Sequence, residues 1–453
     1  MVRVSTGRAR RFATARKRIG ALLLLLLSSA AGADQALYKQ GDTEIDLSFM
    51  AGAAAFAGRD SIFGASDTFL GAETDHWTEY AGELGLSFQR TFPAGTVFGA
   101  ATGLYSATTG DDASGLTIGL DDTAEASLGQ FYVGWRMDDV FAGLSNDTLS
   151  LSVGQQDYVI GTGLIIGSGS DNGGELGGWV TGPRSEFANS GILSLKSDEL
   201  LLELIQLEND PRLGGPRGEL RGGNFEFALP ALHAGAAGDT NRVGLTYLRL
   251  DSDVPEFQPI DVYSLRGDIS PWAKLTLSGE YVLENNRMIH ADAFFVQGSY
   301  AFADAPWTPS VTARYARFDG DDPDTETNEM FFEIAYGATD YGYWIQGDIT
   351  GNYLLGNGNV ESSMVRATLA PTASVTVNLI WLGFTLVVPE ELDPAVTSDD
   401  FGDEFNLAVD WQVTDQVLVS AVLGAMVPGA AAKQWTGGRD TWLYSMVAAT
   451  FTL

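Results

Sequence analysis

Apolar side chains recur at every second position through most of this chain. In EYAGELGLSFQ, residues 79–89, Tyr80, Gly82, Leu84, Leu86 and Phe88 form one set, and Glu79, Ala81, Glu83, Ser87 and Gln89 form the other. Successive side chains of a β-strand point to opposite faces, so the spacing predicts a strand with one oily and one wet side. The same rhythm returns in KLTLSGEYVLE (274–284), ADAFFVQGSYAF (291–302), NEMFFEIAYG (328–337), YWIQGDITGNY (343–353), DEFNLAVDWQV (403–413) and TWLYSMVAATFTL (441–453). On this reading Phe332, Ile349, Tyr353 and Trp411 share the oily side with Tyr80 and Leu84, whereas Glu280, Glu333, Asp348 and Asp410 lie on the wet side. The strands number about twenty, give or take a hairpin, with a weak candidate at 224–229.

Their connections alternate in length. TFPAG, KSD, SPW, PTAS and TD are tight, and between them come long polar stretches at 57–76, 109–123, 156–185, 319–328, 388–403 and 428–440. Short turns on one rim and long loops on the other is the arrangement of transmembrane barrels, with the turns in the periplasm. A soluble sandwich would have to bury the mid-strand carboxylates in a dry core, at several kcal/mol each. Turned the other way, the oily face meets lipid and the charged face lines water. Such a sheet must also close, because an open edge in lipid strands backbone hydrogen-bonding groups. The expected fold class is all-β: a transmembrane, antiparallel, up-and-down β-barrel.

Composition adds the compartment. Arg3, Arg8, Arg10, Arg11, Arg16, Lys17 and Arg18 precede the apolar run Ile19–Leu27 and the small residues Ala31-Gly32-Ala33, as in a secretory signal peptide spanning 1–33. No linker or composition shift divides 34–453, so one domain is expected there, in the outer membrane of a Gram-negative bacterium. The chain has no cysteine and a net charge of −33; without the leader, 19 basic residues face 59 acidic ones, a balance of −40. Nucleic acid is excluded as a partner on that charge.

Three stretches carry a family resemblance: SLGQFYVGWRMDDVFAGLSNDTLSLSVGQQDYVIGTGLIIG (127–167), PWTPSVTARYARFDGDD (306–322) and FGDEFNLAVDWQVTDQVLVSAVLGAMVPGA (401–430). They resemble the alginate-export family of outer-membrane β-barrels, in a strand–turn–strand with a glycine-rich loop, a strand opened by proline, and the final hairpins. The resemblance implies a porin-like barrel of about 18 strands, within a range of about 16–20, passing or exporting a polysaccharide or other polar solute. Where the family pattern reads Gly-Arg-Gln, this chain has Gly154-Gln155-Gln156.

Charged residues on the wet faces are the candidate pore lining: Glu83, Glu125, Arg266, Lys274, Glu280, Arg314, Glu333, Asp348, Arg366 and Asp410, with Glu79, Glu203, Lys196 and Arg242 beside them. Carboxylate rings favour cations and arginine rings favour anions, so a wall carrying both sets a transverse field; ordinary solvated wall charge is the plainer reading. The loop at 156–185 is glycine-rich yet holds Leu164, Ile165, Ile166 and Trp179. It either folds inward and narrows the bore or stays outside. Arg212, Arg217 and Arg221 gather in NDPRLGGPRGELRGG and would attract an anionic solute or lipopolysaccharide phosphate, unless local acids already pair them. The acidic runs at 319–329 and 389–404 lack EF-hand spacing, and no metal site is assigned.

His76, His233 and His290 have no serine and acid partners near in sequence, and G-x-S-x-G, HExxH and Walker patterns are absent. Neither an enzyme nor a cofactor is expected. The expected partners are outer-membrane lipid, lipopolysaccharide and a polar solute or polysaccharide, with the protein a monomer. A general cation-leaning porin and a surface adhesin or structural barrel remain the alternatives.

Overall fold

Each half-oily, half-wet segment becomes one stave of a wall. The computed structural model describes residues 35–120, 123–170, 177–210, 217–229, 241–254, 259–335, 337 and 346–453. Its strands are β1 (Gln35–Gln40), β2 (Thr43–Arg59), β3 (His76–Phe92), β4 (Gly95–Thr109), β5 (Ala124–Asp138), β6 (Thr148–Gln156), β7 (Phe187–Lys196), β8 (Leu200–Glu208), β9 (Gly218–Ala228) and β10 (Arg242–Ser252). They continue with β11 (Ile260–Trp272), β12 (Leu275–Asn285), β13 (His290–Ala301), β14 (Ser310–Phe318), β15 (Val360–Thr372), β16 (Val375–Leu386), β17 (Asp400–Thr414), β18 (Val417–Pro428) and β19 (Trp442–Thr452).

From β2 onward each strand pairs antiparallel with the next. β19 returns to β2, from Leu443↔Arg59 to Thr452↔Met50, and closes an 18-strand barrel. Closure leaves no edge, which is what a sheet in hydrocarbon requires. β1 extends the sheet at the rim, pairing with the start of β2 between Gln35↔Leu47 and Gln40↔Thr43. Two-residue turns such as 93–94, 273–274, 373–374 and 415–416 mark one rim. Gly95, at φ +118°, makes the first possible, since a Cβ there would lie 2.4 Å from the Arg136 carbonyl oxygen. The opposite rim carries the long connections, among them 60–75, 157–186, 319–359 and 429–441.

The oily residues face outward. Tyr80, Leu84 and Trp411 are 43%, 57% and 49% exposed, whereas Glu79 and Glu404, on the same strands with opposite parity, are 0% exposed. Aromatic rings crowd both ends of the outer belt: Tyr247, Tyr263 and Tyr281 toward the loops, and Trp272, Tyr300, Phe302, Trp307 and Trp411 toward the turns. Girdles of this kind mark the two membrane–water interfaces of a spanning barrel.

Two expected strands are not in the wall. β14 pairs directly with β15, from Phe318↔Val360 to Ser310↔Thr368, so the described residues between 319 and 359 lie outside the ring; residues 336 and 343–345 of the two expected strands lie outside the described residues. Residues 328–335 and 337 are irregular, and Gly347–Leu354 wind into a π-helical stretch. Phe332, Ile349 and Tyr353 therefore do not meet lipid; they pack inside the barrel. Gly347, Asp348, Gly351 and Asn352 are poor strand formers, and they end the strand pattern where alternation alone would continue it. Removing these two segments accounts for the difference between about twenty expected strands and the 18 observed.

Candidate functional site

The barrel interior is divided along its axis. On the turn side the inward positions are small and hydroxylic: Ser150, Ser152, Ser194, Ser278, Ser299 and Thr368 are only half-buried. On the loop side, described parts of the long connections fold into the bore, around 158–166, 180–187, 331–335 and 346–355, and Ile160, Leu164, Ile165, Ile166, Phe331, Ile349 and Leu355 pack against wall residues in an apolar core.

Wall carboxylates hold these loops. Glu79 on β3 accepts the backbone N–H groups of Val180 at 2.9 Å and Thr181 at 2.8 Å. Glu404 on β17 does the same for Ile349 at 2.9 Å and Thr350 at 2.7 Å, and it also accepts Asn406 Nδ2 at 2.7 Å. Glu284 on β12 accepts the N–H of Phe332 at 3.0 Å. Hydroxyls complete the set, Tyr158 donating to Glu203 at 2.7 Å and Thr162 to Glu280 at 3.2 Å. An irregular segment brought into a barrel must find acceptors for its N–H groups, and charged acceptors are the strong ones.

The loops also hold each other. Gly167 N–H donates to Ala335 O at 2.7 Å and Gly337 N–H to Gly163 O at 2.9 Å. The seam is tight enough to require glycine: a Cβ on Gly163, which sits at φ +80°, would lie 1.8 Å from Gly337 O. Tyr353 is set among Trp77, Trp442 and Tyr444 at centroid distances of 5.9, 5.6 and 5.9 Å. Asp348 is not satisfied in this way. It is buried and neither of its oxygens meets a hydrogen-bond donor among the described residues. Burial, with Glu404 and Asp410 nearby, holds its carboxyl well above the usual range.

The expected pore residues therefore separate into groups. Glu83, Glu125, Arg366 and Asp410 are inward and half-buried, Asp410 accepting the Ser420 hydroxyl at 2.7 Å. Arg266 is buried and pairs with Glu226 at 2.6 Å, with Thr246 and Asn224 at 2.7 and 2.5 Å. Arg242 approaches Glu226 at 3.8 Å, and Arg314 is buried on β14. Glu280 is buried under the loop, bonded by Ser264 at 2.6 Å. Lys274 stands at the turn rim with Asp304 at 2.5 Å, and Lys196 is exposed at the turn end of β7. Glu333 and Asp348 belong to the folded-in loop, not to the wall; Glu333 accepts the N–H of Asn357 at 2.7 Å.

Arg221 lies on the outer face with Glu219 at 2.7 Å, and Arg217 pairs with Glu208 at 3.7 Å. Arg212 and the leader expected at 1–33 lie outside the described residues. Sequence reasoning missed Glu404, Glu284 and Tyr353 as loop anchors. The one available signal was an acid in mid-strand among apolar neighbours, and it does not tell a water-facing acid from a loop-facing one.

Residues 261–441 match the family described as alginate export. The resemblance is thus borne out over that span, which contains the stretches 306–322 and 401–430. Among solved structures, the chain is similar to OccK9 (OpdG) of Pseudomonas aeruginosa at 15% identity and a TM-score of 0.57, covering 91% of this chain and 98% of that one. OccK5 (OpdH) of the same organism gives 11% and 0.52, over 90% and 98%. No curated protein matches. The structural likeness extends the barrel fold to nearly the whole chain.

Proposed function

We propose that this chain is a channel of the Gram-negative outer membrane that passes a polysaccharide or another polar solute. The divided bore is the observation that supports the reading. Serine and threonine on the turn side offer hydrogen bonds to a hydroxyl-rich solute without a strong charge preference. The loop side is closed down by two segments fastened to each other and to wall carboxylates. A polymer passes only when 157–186 and 319–359 part, so the loops set both bore and gating.

Planar-bilayer recording tests this. The wild-type barrel should conduct in small steps, and a variant with both segments replaced by short turns in large ones. A neutral or charged polysaccharide added to one side should block the large steps. Absence of conductance in the loop-less barrel overturns the channel reading. A second reading, a general cation-leaning porin, draws support from the acidic excess of the chain, −33. Strong cation preference in the reversal potential without polysaccharide block selects it.

A further inference from the structure

The outer wall of β8–β12 carries a feature that solute passage does not use. An apolar groove of about 440 Å³ opens there between Leu204, Phe225, Leu245, Tyr247, Tyr263 and Tyr281. Its floor is Gly223, which lies across from Leu204 on β8 and Tyr247 on β10 and brings no side chain to the outer face. Immediately above it, toward the loop rim, Arg221 and Arg249 stand directly opposite each other on β9 and β10. Both are exposed. Each lies two residues beyond the groove residue of its own strand, about 7 Å along the chain.

Two arginines facing across a strand pair repel and destabilise the sheet. Three acids share this outward level, Glu219 and Asp251 paired one step beyond and Asp261 across from Arg249. Arg221 donates through Nε and Nη2 to Glu219 at 2.9 and 2.7 Å, while Arg249 forms no ion pair among the described residues. Its other cross-strand neighbour, Asp261, accepts the Tyr247 hydroxyl at 2.8 Å. An anion set between the guanidinium groups would turn the repulsion into two charge-assisted contacts, and Arg suits phosphate geometry in particular. The long loops put this level at the outer leaflet, just above the Tyr247–Tyr263 part of the aromatic girdle.

We infer that β8–β12 form a binding site for a phosphorylated, multiply acylated lipid of the outer leaflet, one acyl chain lying in the groove over Gly223 and a phosphate on Arg249 and Arg221. The inference rests on the outer-membrane placement proposed above but not on the channel reading. It gives the barrel a fixed lipid on one side, as basic sites between spanning segments do for anionic head groups.

Native mass spectrometry of the purified barrel, titrated with bis-phosphorylated hexa-acyl lipid A, is the test. Wild type should hold one lipid. Arg221→Ala with Arg249→Ala should weaken it roughly tenfold or more, the usual loss for hydrogen bonds to charged groups. Leu245→Trp, which fills the groove, should weaken it similarly while leaving the arginines in place. Conductance recorded from the same samples should stay at the wild-type value, which separates this site from the bore. Equal binding by wild type and both variants overturns the site. So does equal binding of dephosphorylated lipid A, or displacement of lipid A by millimolar inorganic phosphate alone.

Discussion

Replacing Glu404 with alanine should release the segment 346–359 from the wall. The carboxylate accepts two backbone N–H groups, from Ile349 and Thr350, and the Asn406 amide. Ile349, Thr350 and Glu404 are all fully buried. Truncation leaves two N–H donors without their acceptor, at about 1–3 kcal/mol each, or roughly 2–6 kcal/mol against the docked loop. One effect opposes this: Asp348 loses a carboxylate neighbour, which relieves part of its unfavourable surroundings. At the low end, about 2–3 kcal/mol, the ratio of released to docked loop rises roughly 30- to 150-fold. Glu404→Gln keeps one carbonyl acceptor and should fall between the two. Single-channel recording reads the ratio as the fraction of time in the larger conductance. If Glu404→Ala barrels insert and conduct with wild-type amplitude and dwell times, the wall carboxylates do not hold the loop.

Other perturbations bear on the same latch and on the wall. Asp348, whose carboxyl is raised by burial and by Glu404 and Asp410, holds its proton more readily in the docked loop than in the released one, so docking is strongest below the free carboxylate pKa of about 4 and weakens as pH climbs toward the raised value. Open fraction should therefore rise with pH in wild type, and Asp348→Asn should flatten that rise; identical pH profiles would refute the assignment. Gly163→Ala drives a Cβ into Gly337 O, and protease nicking of 157–186 in folded barrels should accelerate while the barrel's heat-modifiable gel shift persists. Tyr353→Ala empties part of the space among Trp77, Trp442 and Tyr444, and should redden and weaken tryptophan emission; an unchanged spectrum would count against the aromatic clasp. Asp410→Asn should lower cation preference, read as a shift of reversal potential toward zero in a salt gradient.

The wall was legible in the sequence because lipid and water impose opposite demands on adjacent residues. Tyr80 against Glu79 and Trp411 against Asp410 carry that contrast unaided, and so does the tightness of the turns. What lies within the barrel was less legible. Phe331, Phe332 and Glu333 alternate like a strand because a segment threaded between a polar wall and an apolar loop also sorts its side chains by side. Its pairing, not its pattern, decides the matter, and β14 pairs with β15 over its head. The roles of Glu79 and Glu404 depend on N–H groups 101 and 55 positions away in the chain, respectively. A mid-strand acid read alone looks the same whether water or a loop sits against it.

Everything rests on which face of the wall meets water, and the absence of native cysteine makes that face directly measurable. Single cysteines placed at Ser278 and Ser299, and at Leu84 and Val296, would be exposed in turn to a membrane-impermeant thiol reagent in reconstituted vesicles, with conductance recorded throughout. The barrel described here predicts rapid modification and partial block at Ser278→Cys and Ser299→Cys, and protection by lipid at Leu84→Cys and Val296→Cys. The reverse order of reactivity would mean that the oily faces point inward, and would contradict the account at its root.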